Sequence, residues 1–348
     1  MTPPVTFGYG LITVERHPDR PDGWPALYQE ALDLVRAAEA AGLDAVWTTE
    51  HHFVDSGYLP TPLVLSAAIA AVTSRIRIGT GVILAPLYHP LWIAEEAAVV
   101  DNLADGRLIL GMGLGWSETE LLAFGASAST RGRYLDEVFD VLAQAAGDDV
   151  VRHEGPLVSV PEVAVRPRPP KGRLTTWVGG HADAALQRAG RHADGVLLAS
   201  GLEGFRHEVG VLHAALDAAG RDPATFEVGE YLTVVPDADG RDGWSEVGEA
   251  LLHAEWKYGD MEESARRVGR PIPHRGPMSE ADVAETRGRC LLGSRDAILE
   301  RVEAYRAIAA PSPFHLVSRT YLPGLTAARQ RELLDRFARE IAGAYAPG

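Results

Sequence analysis

Short apolar runs alternate with amphipathic ones along almost the whole chain, a pattern that predicts strands and helices in regular succession. Val5 to Ile12 reads as the first strand and Trp24 to Ala41 as the first helix, ended by Gly42. Strands two to four fall at Leu43 to Thr49, Ile76 to Ile83 and Arg107 to Gly113. The helices after them run from about Pro62 to Val72, from Leu91 to Leu103 and near Arg131 to Ala145. A proline-rich connection, Pro161 to Pro170, leads to strands five (Leu174 to Val178), six (Asp194 to Ser200) and seven (Phe226 to Val235). Helices over Ala182 to His192 and Glu203 to Ala219 lie between those strands. Pro236 to Leu292 breaks the rhythm and carries Trp244, Trp256 and Tyr258 among charges. It resumes with a helix over Arg295 to Ile308, strand eight over Phe314 to Arg319 and a last helix over Ala327 to Ala344.

Eight strand–helix units in 348 residues predict an α/β fold of the (β/α)8 TIM-barrel type. An open doubly wound sheet usually has fewer repeats, and no Gly-x-Gly-x-x-Gly follows strand one. The expected organisation is one barrel domain over residues 1–348, with residues 236–292 as an insertion after strand seven. A structureless loop of that length would be unusual, so the insertion is expected to have structure of its own.

Composition narrows the functional classes. A net charge of −15 and a pI near 5.2 argue against a nucleic-acid groove or an anionic membrane surface. The single cysteine, Cys290, allows neither an intrachain disulfide nor a cysteine-rich metal site. Met1 to Gly10 has no secretory pattern, and no apolar run approaches the roughly 18 residues of a membrane span. A soluble cytoplasmic protein is expected.

Strand two ends abruptly in Glu50-His51-His52. Titratable groups at the carboxyl end of a buried parallel strand stand where α/β folds place chemistry, and a histidine titrating near neutrality serves as acid or base. A helix cap or a polar surface loop is the alternative. Adjacent strand positions face opposite ways, so only one of the two histidines can face the barrel mouth. Zinc is disfavoured because the His-x-x-x-His spacing of a helical ligand pair is missing. Gly79 and Gly81 inside strand three mark a bulge, a close approach or tight barrel packing. Gly111, Gly113 and Gly115 end strand four on bare backbone where a flat ligand could lie, with Trp116 as a wall. Gly179-Gly180-His181 passes from strand five into a helix, either as an ordinary turn or as an anion site.

Ala45-Val46-Trp47-Thr48-Thr49-Glu50-His51-His52-Phe53, His89-Pro90 and Asp101 to Leu108 leading to Gly111 together resemble the bacterial luciferase-like flavin-dependent oxidoreductases. The resemblance extends from Phe7 to the final helix and includes, less diagnostically, Gly293-Ser294-Arg295 and Pro323-Gly324. It implies a TIM barrel with an insertion after strand seven, commonly a homodimer. It further implies reduced FMN, delivered by a separate flavin reductase, reacting with O2 to a peroxyflavin that oxidises a small organic substrate such as an aldehyde, ketone or alkyl compound. A related branch transfers hydride with the deazaflavin F420, and a non-catalytic flavin-binding subunit is a third reading. By the resemblance His51 matches the catalytic histidine, with Glu50 or His52 orienting it. Gly81 and Val82 match a bulge beneath the flavin ring, sometimes with a non-prolyl cis peptide, and Gly179, Gly180 and His181 match the phosphate turn. Light-emitting members place an arginine at the position of Leu114, which speaks against light emission here. Glu50 leans toward FMN, since F420 members often carry aspartate before the histidine. The insertion is expected to act as a lid and to supply much of the substrate pocket.

Overall fold

A computed structural model describes residues 3–238 and 240–346. Eight parallel strands form the barrel: β1 (Val5–Ile12), β2 (Ala45–Thr48), β3 (Arg77–Thr80), β4 (Leu108–Gly113), β5 (Thr175–Gly179), β6 (Gly195–Leu198), β7 (Glu227–Leu232) and β8 (Phe314–Arg319). Each pairs in parallel with its neighbours, β1 pairs with β8, and β3 pairs with β4 to close the ring. Helices wrap the outside, several of them started by proline in the first turn, as at Pro62 and Pro90.

The strand interior explains the glycines. Trp47 and Trp177 are fully buried inside the barrel, with ring centroids 5.0 Å apart, and pack with Leu11, Ile109, Leu197 and Val317. A side chain at Gly79 would run into the Trp47 indole, and one at Gly195 or Gly229 into that of Trp177. Burying roughly 150–250 Å² per indole at about 25 cal/mol per Å² is worth on the order of 4–6 kcal/mol each, which these glycines make possible. Trp47 Nε1 donates to His315 Nε2 at 3.0 Å. Burial holds the His315 ring well below the usual histidine range, so it stays neutral and accepts that proton.

Three elements differ from the hydrophobic pattern. Strand three breaks at the cis Gly81–Val82 peptide and resumes as Ile83–Leu84, paired to the end of β4. Strand seven ends at Leu232, and Val234–Pro236 instead pairs with Leu291–Gly293. That pairing pins together both ends of the insertion, which holds helices over Gly243–Gly259, Met261–Ser264 and Glu280–Gly288. An antiparallel hairpin, Val151–Glu154 with Ser159–Val163, precedes the proline-rich stretch.

Candidate active site

The loop after β2 is held to the barrel rim: His51 N–H donates to the Leu59 carbonyl, and Leu59 N–H to that of Thr13. Two neighbouring histidines receive separate surroundings. His51 is buried, with its ring edge-on to Tyr58, Trp116 and Tyr258 at centroid distances of 5.0, 5.9 and 5.3 Å. His52 lies against Phe124 and bonds Glu50 through Nε2 at 2.7 Å.

Glu50 is a buried hub. Its carboxylate accepts from His52, from the Leu84 backbone N–H at 2.8 Å and from the Tyr88 hydroxyl at 2.6 Å. The donors compensate the desolvation of the charge. Burial and the adjacent Glu50 charge push the Tyr88 hydroxyl up, so it remains a donor.

His51 is oriented by a different acid. Glu120 Oε1 accepts from His51 Nδ1 at 3.0 Å and from the His52 backbone N–H at 2.6 Å. A carboxylate only accepts, so the contact places the proton on Nδ1 and leaves Nε2 as the nitrogen that can take or give one. Glu120 Oε2 is buried and has no partner among the described residues.

Sequence reasoning did not single out Glu120, though a signal exists. Ser117-x-x-Glu120 reads as a capping box before the short helix Glu118–Ala123. Ser117 does accept from Glu120 N–H at 3.2 Å, but the glutamate side chain reaches the two histidines.

A cavity of about 430 Å³ opens beside this corner, within the size range of small-molecule sites. Tyr258 belongs to both, since it lines the cavity, packs on His51 and accepts a 2.7 Å hydrogen bond from Trp116 Nε1. Burial pushes its own hydroxyl up to about 12, so it stays neutral. Tyr258 comes from the insertion, which is fastened over the site by Lys257 and Arg267 on Asp55 and by Glu262 on Thr119. Trp244 and Trp256 pack elsewhere, under Arg287 and Lys257 respectively.

The predicted cofactor residues fall in two groups. Val82 methyl groups occupy the space beside Gly113 and Gly179, so the backbone expected to be bare there is covered by Val82. Gly180 adopts φ +147°, a region that glycine favours, and His181 follows it on the cavity wall. His181 Nδ1 meets Glu208 Oε1 at 2.9 Å, and Ser200 donates to the other Glu208 oxygen. Glu230, on β7, is buried and accepts from Gly201 N–H, after β6, at 3.0 Å. Burial pushes its carboxyl well above the usual range. The cavity's fixed cations, Arg319 at the end of β8 and Arg289 from the insertion, both hold Glu255. Burial alone would raise the Glu255 carboxyl, and the two guanidiniums more than offset it.

A family model described as luciferase-like monooxygenase matches residues 7–311, and the chain belongs to that family of oxidoreductases. Its relatives include flavin-dependent monooxygenases and F420-dependent enzymes. The oxygenase component of flavin-dependent trigonelline monooxygenase from Acinetobacter baylyi is 25% identical over 334 residues, 92% of this chain and 90% of that one. The F420-dependent glucose-6-phosphate dehydrogenase of Microbacterium testaceum is 30% identical over 207 residues, 58% of each chain. With several relatives the match spans only about half of the relative's own length. In fold, the chain is similar to the monooxygenase RslO1 from Streptomyces bottropensis, with a TM-score of 0.78 at 23% identity over 98% of this chain and 100% of that one.

Proposed function

We propose that this chain binds reduced FMN at the carboxyl face of the barrel and, with O2, oxidises a small organic substrate, His51 serving as the acid–base group. The observation that carries this reading is the His51–Glu120 pair, buried in an aromatic corner that shares Tyr258 with the cavity. The residues fit a flavin. Val82 and Trp116 offer apolar surface for the ring, and the Gly180–His181 turn with its half-exposed imidazole suits a phosphate. When bound, reduced FMN supplies the electrons that activate O2.

The chain's own part is positioning and proton handling. Glu120 fixes the His51 tautomer, so that Nε2 gives or takes a proton beside the reacting atoms. Glu50 holds His52 and the backbone at Leu84, keeping that loop in register. Tyr58, Trp116 and Tyr258 cover the buried His51 ring and shield it from water.

We further assign a separate flavin reductase as the source of reduced FMN, and a homodimer formed by the outer helices. Helix Pro62–Val72 has no charged residue and exposes Val64, while the adjoining helix Pro90–Leu103 exposes Trp92, Val99 and Leu103. These exposed apolar side chains, flanked by Glu95 and Glu96, support an interface on that side of the barrel.

Anaerobic titration of the full chain with reduced FMN and with F420, followed by an O2 pulse while O2 uptake is recorded, tests the assignment. His51→Ala is expected to retain FMN affinity and lose turnover by on the order of 10²-fold or more. Unchanged turnover would sink the role given to His51. The identity to an F420-dependent dehydrogenase favours one rival reading, hydride transfer with F420. Anaerobic activity with F420, and none with reduced FMN and O2, would establish it. Flavin binding without turnover under either condition would identify a non-catalytic subunit.

A further inference from the structure

The cavity beside His51 carries a charge imbalance that neither the acid–base pair nor the phosphate turn uses. Glu255 Oε2 accepts from Arg289 at 3.1 Å and its Oε1 accepts from Arg319, so two guanidiniums share a single carboxylate. One positive charge is left over on the cavity wall. Glu15 shares a neighbouring pocket with Arg319 and Tyr58, but its carboxyl, pushed up by burial, accepts from the Ser56 hydroxyl at 2.8 Å and makes no hydrogen bond to Arg319 among the described residues. Arg319 donates to Glu255 through one Nη only. Its other Nη and its Nε have no side-chain or backbone acceptor among the described residues. A guanidinium with a free edge matches a carboxylate held by two parallel hydrogen bonds.

Position around the barrel separates this edge from the phosphate turn. In the ring order β2-β1-β8-β7-β6-β5, Arg319 at the end of β8 lies two strand positions from the His51 loop after β2. It lies three positions from the Gly179–His181 turn after β5. At about 4.8 Å per strand these arcs are roughly 10 and 14 Å. Tyr258 spans the shorter one, lining the cavity with Arg319 and touching His51. Tyr231 and Tyr258 give the cavity flat, apolar walls with polar tips.

We propose that the cavity takes a substrate bearing a carboxylate, gripped by Arg319 and Arg289, with its organic part against Tyr231 and Tyr258 and next to His51. This deepens, and rests on, the reading of His51 as the acid–base group. Glu255 bridges the two guanidiniums, offsets their mutual repulsion and competes with the incoming anion, so it tunes affinity.

Calorimetric titration of the flavin-free full chain with benzoate and with the neutral isostere benzamide tests the proposal. Benzoate is expected to bind about tenfold or more tightly than benzamide. Arg319→Gln is expected to abolish that preference, and Glu255→Gln to increase it. Should Arg319→Gln fail to fold, Arg289→Gln, at a half-exposed side chain, carries the same comparison. Equal or undetectable binding of the two probes overturns the proposal. A parallel titration with FMN and riboflavin separates the two sources of an oxyanion. The FMN preference should survive Arg319→Gln, and its loss there would overturn the proposal by assigning the arginines to the cofactor phosphate. Because no turnover is measured, a silent His51→Ala would sink the acid–base role and leave the carboxylate site standing. Absence of a benzoate preference in the parent chain would do the reverse.

Discussion

Glu120→Gln isolates the charge that orients His51, since it preserves shape and leaves an oxygen to face the two donors. In the parent, one carboxylate oxygen receives both His51 Nδ1 and the His52 N–H, at 3.0 and 2.6 Å. Hydrogen bonds to a charged group contribute about 1.5–3 kcal/mol and neutral ones about 0.5–1.5, so losing the charge weakens each by roughly 1 kcal/mol. The amide NH2 would then stand where Glu120 Oε2 stands, buried and without a partner, at a further cost of about 1–3 kcal/mol in stability. Only the His51 bond acts on the ring, so a loss of roughly 1–1.5 kcal/mol in stabilising the protonated ring during turnover corresponds to about 5- to 13-fold in kcat. The assay is turnover with reduced FMN and O2 in the parent and in a His51→Ala background. Groups acting as a unit are strongly non-additive, so the Glu120→Gln loss should vanish once His51 is gone. An equal loss in both backgrounds, or full activity of the single variant, would refute the orienting role.

Three further outcomes follow from packing and charge. Gly111→Ala would drive a methyl group into the Thr80 carbonyl oxygen inside the barrel wall, where Thr80 also bonds Gly111 through its hydroxyl. A fall of several kcal/mol in the urea-derived stability is expected, and near-parental stability would contradict this packing. His253, buried against His17 at a ring distance of 4.1 Å, has its pKa lowered to about 4 by burial, with His17 and Lys257 adding to the effect. The unfolded ring takes its proton near pH 6.5 and the folded one only near 4, so stability should drain as pH falls between those values and no further below, by at most about 3 kcal/mol. Urea midpoints at pH 7 and 4.5, compared with those of His253→Gln, measure that difference, and identical slopes in the two proteins would exclude it. If the proposed homodimer forms through the exposed helix face, light scattering should give a dimer for the parent and a monomer for Trp92→Arg; a dimer in both would move the interface elsewhere, and a monomeric parent would refute the dimer.

The barrel was legible in the chain because strands buried on both faces are written as apolar runs that need no partner to be recognised. Leu108–Gly113 is such a run, buried throughout, and falls where the pattern predicts it. The hairpin at Val151–Glu154 and Ser159–Val163 is not, since its few apolar positions are interleaved with Arg152, Glu154, Pro161 and Glu162. Gly81 did mark an interruption of strand three, while Gly79 proved to be packing room for Trp47. At the site, Glu50-His51-His52 stood out because three titratable residues follow a buried strand. What each does was not readable: His51 bonds an acid 69 positions away, and His52 one only two positions away.

That division reflects how the corner is assembled. The barrel supplies His51 from the rim of β2 and Glu120 from the helix beyond β4, both fixed by strand order and closure of the ring. The insertion supplies Tyr258, Glu255 and Arg289, and its ends are joined by the short Val234–Pro236 and Leu291–Gly293 pair. Its seat over the site depends on Asp55, where Lys257 and Arg267 converge, four residues past His51. On the reading proposed above, proton handling rests on barrel residues alone, substrate grip joins Arg319 of the barrel to Arg289 of the insertion, and the two meet at Tyr258. Changes in the insertion can alter which substrate is held without moving the His51–Glu120 pair, provided that Tyr258 keeps its contact with both.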